Sequence, residues 1–255
     1  MHTEMSTPRV FARNISHPFR LLVADIDGDK QADIMVLGGV DLPGNGAVVW
    51  YRNAGGSFTS PVTVAAGLAN PQELLLRDVT GDGVADVVAL AAGRVLYWAG
   101  LGHGAFAASA TDVGAPPNVH AVHAIVWGAA ATGPADLVVA TPNSTLWLHN
   151  DGHGVFTSQG VVVPGNATAL GSMIFADGTD VVVALANGTL WLCRRNIDSS
   201  TFTIRLLTTA GAPVTQVKEE EKEEEGGGGE DNRAHQEINK YNERERERER
   251  ERETE

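Results

Sequence analysis

Two nine-residue acidic segments hold the residue types most able to do chemistry in this chain. The first is Asp25-Ile26-Asp27-Gly28-Asp29-Lys30-Gln31-Ala32-Asp33, the second Asp78-Val79-Thr80-Gly81-Asp82-Gly83-Val84-Ala85-Asp86. Oxygen-bearing side chains stand at positions 1, 3, 5 and 9 of both. That spacing suits a hard cation that wants many oxygens, Ca²⁺ before any other. Glycine at position 4 lets the backbone fold tightly around an ion. The position-7 carbonyls of Gln31 and Val84 are natural further ligands. Without a counter-charge, four carboxylates in nine residues repel one another, whereas an ordinary Asp/Gly turn needs no such cluster. The expected first site is therefore Asp25, Asp27, Asp29, Gln31 and Asp33, and the second Asp78, Thr80, Asp82, Val84 and Asp86. Thr80 stands where a carboxylate would, so the second site is expected to be the weaker.

The elements that must position these loops are strands. Position 12, where an EF-hand places a bidentate Glu ahead of its second helix, is here Val36 or Ala89. Each lies in an apolar run, Ile34-Met35-Val36-Leu37 or Val87-Val88-Ala89-Leu90, of strand length and composition. A second signature follows each: a small turn, an apolar strand with one aromatic, and a Gly-rich turn closed by Phe. It recurs four times, with Trp50, Tyr97, Trp147 and Trp191 aligned at spacings of 47, 50 and 44 residues and the closing Phe at 58, 106, 156 and 202. Several short strands per period of this length are the signature of a propeller. The acidic loop decays in the later repeats. Only Asp136 survives in the third, and Asp177 to Asp180 form a shortened loop in the fourth. No metal is expected there.

The two loops, their strands and the Trp-Tyr-Arg-Asn…Gly-Gly-Ser-Phe turn resemble the VCBS/FG-GAP repeats, the calcium-loop β-propellers that include the N-terminal domain of integrin α chains. The resemblance covers about residues 8–217. It implies an all-β propeller with Ca²⁺ between strands, ligated at the positions named above, and a module for adhesion or recognition outside the cell. With four repeats visible, the expectation is either a closed four-bladed ring or a piece of a seven-bladed one. The second is preferred because the pattern runs directly into low-complexity sequence. A partial ring would keep open blade edges able to self-associate.

The formal charge of −13 is unevenly spread. Residues 218–255 hold 16 acids against 9 bases, leaving −6 for residues 1–217. The tail combines an acidic run, four glycines and a Glu-Arg alternation from Glu243 to Glu253. It has no apolar face to bury, so it is expected to be disordered or a solvated helix. Translated simple-sequence DNA would read the same way. The body shows no basic stripe for nucleic acid, no polybasic segment for lipid and no apolar run long enough to span a membrane. Met1 to Leu22 lacks the apolar stretch of a signal peptide, so the extracellular setting rests on the resemblance alone. Cys193 is the single cysteine, which rules out an internal disulfide. The sequons at Asn143 and Asn187 occupy equivalent turn positions, where Asn is favoured for its geometry; Asn14 and Asn166 also fit the pattern.

His103 and His153 stand in equivalent Gly-His-Gly turns, a repeat feature rather than a metal pair. His149 and His153 are placed on a turn, and His120 and His123 on either side of a strand. The aromatics have apolar neighbours on both sides and are expected in blade cores. No nucleophile elbow, phosphate loop or zinc-protease motif is present. The body has only two Glu, at 4 and 73, and few carboxylates remain for acid–base work. The sequence therefore points to a calcium-binding, non-enzymatic module that presents a surface to a protein or glycan. The alternative is a carbohydrate-active enzyme or its accessory propeller.

Overall fold

The computed structural model describes residues 10, 17–39, 46–127, 133–175, 178–196 and 201–208. The expectations for residues 218–255 and for Asn14 lie outside them. Every regular element described is a strand. β-Branched and aromatic residues alternate with smaller ones through these runs, and that composition fits a pleated, half-buried surface. Among the described residues no helix is long and apolar enough to cross a membrane. The chain divides into two compact units, Met1–Gly114 and Ala115–Glu255.

The first unit holds two four-stranded antiparallel blades. Blade 1 runs in sequence order through β1 (Arg20–Ala24), β2 (Asp33–Gly38), β3 (Gly46–Tyr51) and β4 (Val62–Leu68). Blade 2 uses β5 (Pro71–Arg77), β6 (Asp86–Ala91) and β7 (Arg94–Trp98). The hairpin β8 (Gly100–Gly102) and β9 (Ala105–Phe106) follows, and β10 (Thr111–Asp112) closes the sheet against β7. Period-2 alternation sends Met35, Leu37, Val48 and Trp50 to one face of blade 1, where they meet Leu74, Val87, Ala89 and Trp98 of blade 2. Arg20 of β1 also reaches Glu73 of β5 through two hydrogen bonds, at 2.9 and 3.3 Å. That pair is partly exposed and contributes at most about 1 kcal/mol.

The second unit repeats the plan. Blade 3 is β11 (Ala121–Ile125), β12 (Asp136–Ala140), β13 (Ser144–Asn150) and β14 (Phe156–Pro164). Blade 4 is β15 (Ala167–Phe175), β16 (Gly178–Leu185), β17 (Leu190–Arg195) and β18 (Phe202–Thr208). Val138, Ala140, Trp147, Val163, Val181, Val183 and Trp191 form its core. Truncating one of the larger buried side chains, Leu137 for example, is expected to cost about 2–5 kcal/mol.

Two placements differ from the sequence expectation. His123 lies within β11 and His149 within β13, because the strands run longer than the apolar residues that announce them. In blades 1 and 3 the strand that opens with Asp33 or Asp136 sends Met35 or Val138, two residues on, into the core opposite Trp50 or Trp147. In blade 4 the residue opposite Trp191 is Val183, three residues after Asp180. The shortened loop shifts the pairing by one, and a one-residue shift exchanges the two faces of a strand. Asp180 therefore stands on the face opposite the one that packs Val181 and Val183.

Candidate functional site

Both acidic loops begin in the same way. Asp25 accepts the amides of Gly28 and Lys30, at 2.8 and 2.9 Å. Asp78 accepts those of Gly81 and Gly83, at 2.6 and 2.9 Å. Asp29 accepts the amide of Gln31 and Asp82 that of Val84. These short-range bonds wrap the backbone around the first carboxylate. Position 4 is a left-handed glycine in both loops, with φ of +83° at Gly28 and +76° at Gly81.

The ninth residue behaves differently from the others. Asp33 and Asp86 are fully buried and face the backbone. Asp33 accepts the amides of Ile26 and Asn53, at 3.1 and 2.7 Å. Asp86 accepts those of Val79, Thr80 and Gly100, at 2.7, 2.9 and 2.7 Å. The carboxylate thus clips the start of its loop to the chain that leaves the third strand. Burial raises the Asp86 carboxyl above its ordinary pKa, while the amides of Gly100, Val79 and Thr80 pull it back. The same clip recurs in the second unit with other donors. Asp136 accepts the Asn150 amide and the indole N–H groups of Trp127 and Trp147, at 2.7, 2.6 and 2.8 Å. Asp180, shifted to the other face, takes the Arg194 guanidinium instead, with Nε at 2.9 Å and Nη2 at 3.0 Å.

Of the expected ligands, the structure brings Asp25, Asp27 and Asp29 together, with one carboxylate oxygen of each within 4.8 Å of the others. Asp33 is not part of that group. In the second loop the carboxylates of Asp78, Asp82 and Asp86 form no comparable cluster among the described residues. The Thr80 hydroxyl turns inward toward Asp86, at 3.4 Å. The donor set of the first loop suits Ca²⁺: three hard carboxylates converge, and one guanidinium answers them. Arg52 donates to Asp27 through Nε and to Asp29 through Nη2, the latter at 3.0 Å. Three negative charges against one positive leave the cluster with a net negative charge. The hydrogen bond to Asp27, above all, lifts the Arg52 pKa further above its ordinary value.

Beside this cluster lies an open pocket of about 310 Å³, lined by Asp27, Gly28, Asp29, Trp50, Arg52 and His103. Trp50 and Arg52 share a face because they are two residues apart along one extended segment. His103 is supplied by the turn between β8 and β9, held in a left-handed conformation with φ of +52°. Gly104, also left-handed at φ +75°, lies flat on the Trp50 indole, and a Cβ there would collide with the ring. Close backbone approach is what a glycine at this position permits.

Trp50 is 6% exposed, and its indole Nε1–H has no hydrogen-bond partner among the described residues. The aligned tryptophans are satisfied: Trp147 by Asp136 and Trp191 by the Thr189 hydroxyl at 2.9 Å. Blade 3 has also filled the equivalent surroundings. Trp127 and Phe202 pack on Trp147 at centroid distances of 5.8 and 5.6 Å, and Arg195 stacks on it at 4.7 Å. Blade 1 keeps an open pocket where blade 3 has packed side chains. Sequence reasoning reached the aspartates and placed Trp50 in a blade core and His103 in a turn, where both lie, but not their meeting at one pocket. The legible signal for Arg52 was period-2 alternation, which puts it on the face of Trp50.

Residues 25–89 match the family model of the FG-GAP-like repeat. No curated protein sequence matches the chain. Among solved structures it is similar to a lectin of Agrocybe aegerita, described for specific recognition of non-reducing terminal N-acetylglucosamine. The two share 23% identity at a TM-score of 0.56, with 75% of this chain and 53% of that chain covered. The chain thus spans about half the length of that lectin, and the likeness is one of fold. It is also similar, at 18% identity and a TM-score of 0.39, to the Photorhabdus luminescens Tc holotoxin pore, over 73% of this chain and 9% of that one. The latter likeness is too distant to carry an argument. The expected kinship with FG-GAP repeats and the all-β propeller fold both hold.

Proposed function

We propose that this propeller is a non-enzymatic glycan-recognition module whose sugar seats in the pocket of Trp50, Arg52, His103, Asp27 and Asp29. The observation that carries this is an open pocket that sets two carboxylates, a guanidinium and an imidazole beside a tryptophan ring. Carboxylates and a guanidinium around it accept from and donate to hydroxyl groups in fixed directions. The pocket volume lies at the low end for small-ligand sites and suits one sugar ring. Likeness of fold to a lectin supports the same choice. Asp27 and Asp29 are both engaged by Arg52, which leaves no free carboxylate pair for acid–base chemistry.

In this proposal Asp25, Asp27 and Asp29, with the Gln31 carbonyl, hold a structural Ca²⁺ that neutralises the loop and fixes the pocket wall, while Asp33 holds the loop backbone. The second loop, Asp78 to Asp86, whose carboxylates do not converge in this way, holds the ion more weakly. The proposed setting is extracellular or at the cell surface, where Ca²⁺ reaches the roughly 10⁻⁴ to 10⁻³ M at which loops of extracellular modules fill.

Calorimetric titration with N-acetylglucosamine, alongside a glycan array, tests the assignment. Arg52→Ala removes the guanidinium donors of the pocket and is expected to weaken binding about tenfold. An array on which no glycan binds, from a protein that melts cooperatively, would sink the proposal.

A further inference from the structure

Three sequons of the second unit have no part in the pocket. Asn143-Ser144-Thr145, Asn166-Ala167-Thr168 and Asn187-Gly188-Thr189 each read Asn-X-Thr with no proline between. They are well separated in the chain, in the β12–β13, β14–β15 and β16–β17 turns. The fold sets those turns side by side. The Gly165 amide donates to the Asn143 carbonyl at 2.7 Å, and the Ala186 amide to the Asn166 carbonyl at 2.8 Å. One rim therefore presents all three. In blade 3 it is the end of the strands opposite Asp136 and the turn that carries His153.

All three asparagines are exposed. The need for a left-handed residue does not account for them. None has a positive φ, and the left-handed positions of these turns are Gly165 at +115° and Gly188 at +83°. Asn187 Oδ1 accepts from the Thr189 amide and hydroxyl, at 3.1 and 2.7 Å. That fixes which end of the amide is oxygen and leaves Nδ2 as the free end of an exposed side chain. Among the described residues, the Nδ2 of none of the three donates a hydrogen bond.

We propose that this rim is a triple N-glycan acceptor, occupied when the chain passes through a secretory pathway; the proposal rests on the extracellular setting given above. The co-reactant is an oligosaccharide joined through its anomeric carbon to a lipid diphosphate. Nδ2 forms a bond to that carbon, and the carbon–oxygen bond to the diphosphate breaks. The amide gives up one proton, and the lipid diphosphate leaves with the bonding pair. Bulky, solvated sugar chains then cover one end of these strands and leave the other end uncovered.

The test expresses the full chain behind a cleavable leader in eukaryotic cells, beside an Asn143→Gln/Asn166→Gln/Asn187→Gln variant. An amidase that removes N-glycans leaves Asp at each occupied site, and peptide mass mapping reads it on secreted and cell-retained chain alike. Occupancy is expected at all three, with the same melting midpoint before and after glycan removal. Two or three occupied sites with undisturbed melting sustain the proposal. None or one overturns it. Retention of the glycosylated chain where the variant is secreted also overturns it, because the glycans would then clash with the fold. The wild-type map decides occupancy whether or not the variant folds. Since the leader is supplied, a bare rim is a failure of the acceptor and not of the extracellular setting, which is read from where the chain without the leader is found.

Discussion

The loops Asp25–Asp33 and Asp78–Asp86 have nearly the same spacing of oxygens and have become different objects. In both, the first carboxylate wraps the turn and the ninth clips the loop to the chain beyond the third strand. They part at position 3. Asp27 turns toward Asp25 and Asp29, pairs with Arg52 and makes a charged pocket wall. Thr80 turns inward to the buried Asp86. The strand position that carries Arg52 in blade 1 is Ala99 in blade 2, by alignment of Trp50 with Tyr97, so no cation arrives there. Position 3 and one position just past the third strand separate a charged pocket wall from a structural turn.

If the second loop is chiefly structural, its ninth residue should matter most to stability. Asp86→Ala leaves three backbone donors without an acceptor and is expected to cost about 3 kcal/mol, against about 2 kcal/mol for Asp33→Ala with two. Urea unfolding measures both, and equal or reversed losses would break the contrast.

Asp86 also gives the second loop a pH signature. Its carboxyl is raised from the ordinary value of 3.8 by burial, so the folded state binds the proton more readily than the unfolded one. The contribution of this group is most favourable below 3.8 and declines as pH rises toward the raised value, above which it stays constant. Asp86→Asn should remove that part of the acid-range slope. A slope identical to wild type would assign it elsewhere.

Ca²⁺ sharpens the comparison at a smaller scale. Millimolar ion is expected to stabilise the chain by about 1 kcal/mol per filled site, read as a melting shift against chelator. Asp27→Ala should abolish most of that shift and Thr80→Ala little of it. Equal losses would mean that the loops bind alike.

The smallest effect concerns position 6, where both loops adopt a left-handed backbone: Lys30 at φ +68° and Gly83 at φ +82°. A non-glycine residue there costs about 1–2 kcal/mol, partly offset by the lower entropy of its unfolded chain. Lys30→Gly should stabilise by about 0.5 kcal/mol, and Gly83→Lys should destabilise by somewhat more.

Sequence by itself determined the strands, the four-fold repeat and the two loops. These depend on local rules: alternation with period two, glycine where φ is positive, and carboxylates spaced along one turn. It also placed Trp147 and Trp191 in blade cores, as their neighbours required. Only the tertiary structure decided which oxygens meet. Asp33 and Asp86 share the spacing of ligands, yet their burial and their backbone partners come from strands that pair about 20 and 14 residues later in the chain. The shift of Asp180 to the opposite face depended on pairing between β16 and β17, which no local pattern records. The pocket needed Arg52 from one blade and His103 from the next to arrive beside Asp27, a juxtaposition set by packing between sheets. Residue types and local spacing decide which chemistry a segment can offer, and long-range pairing decides where each side chain points.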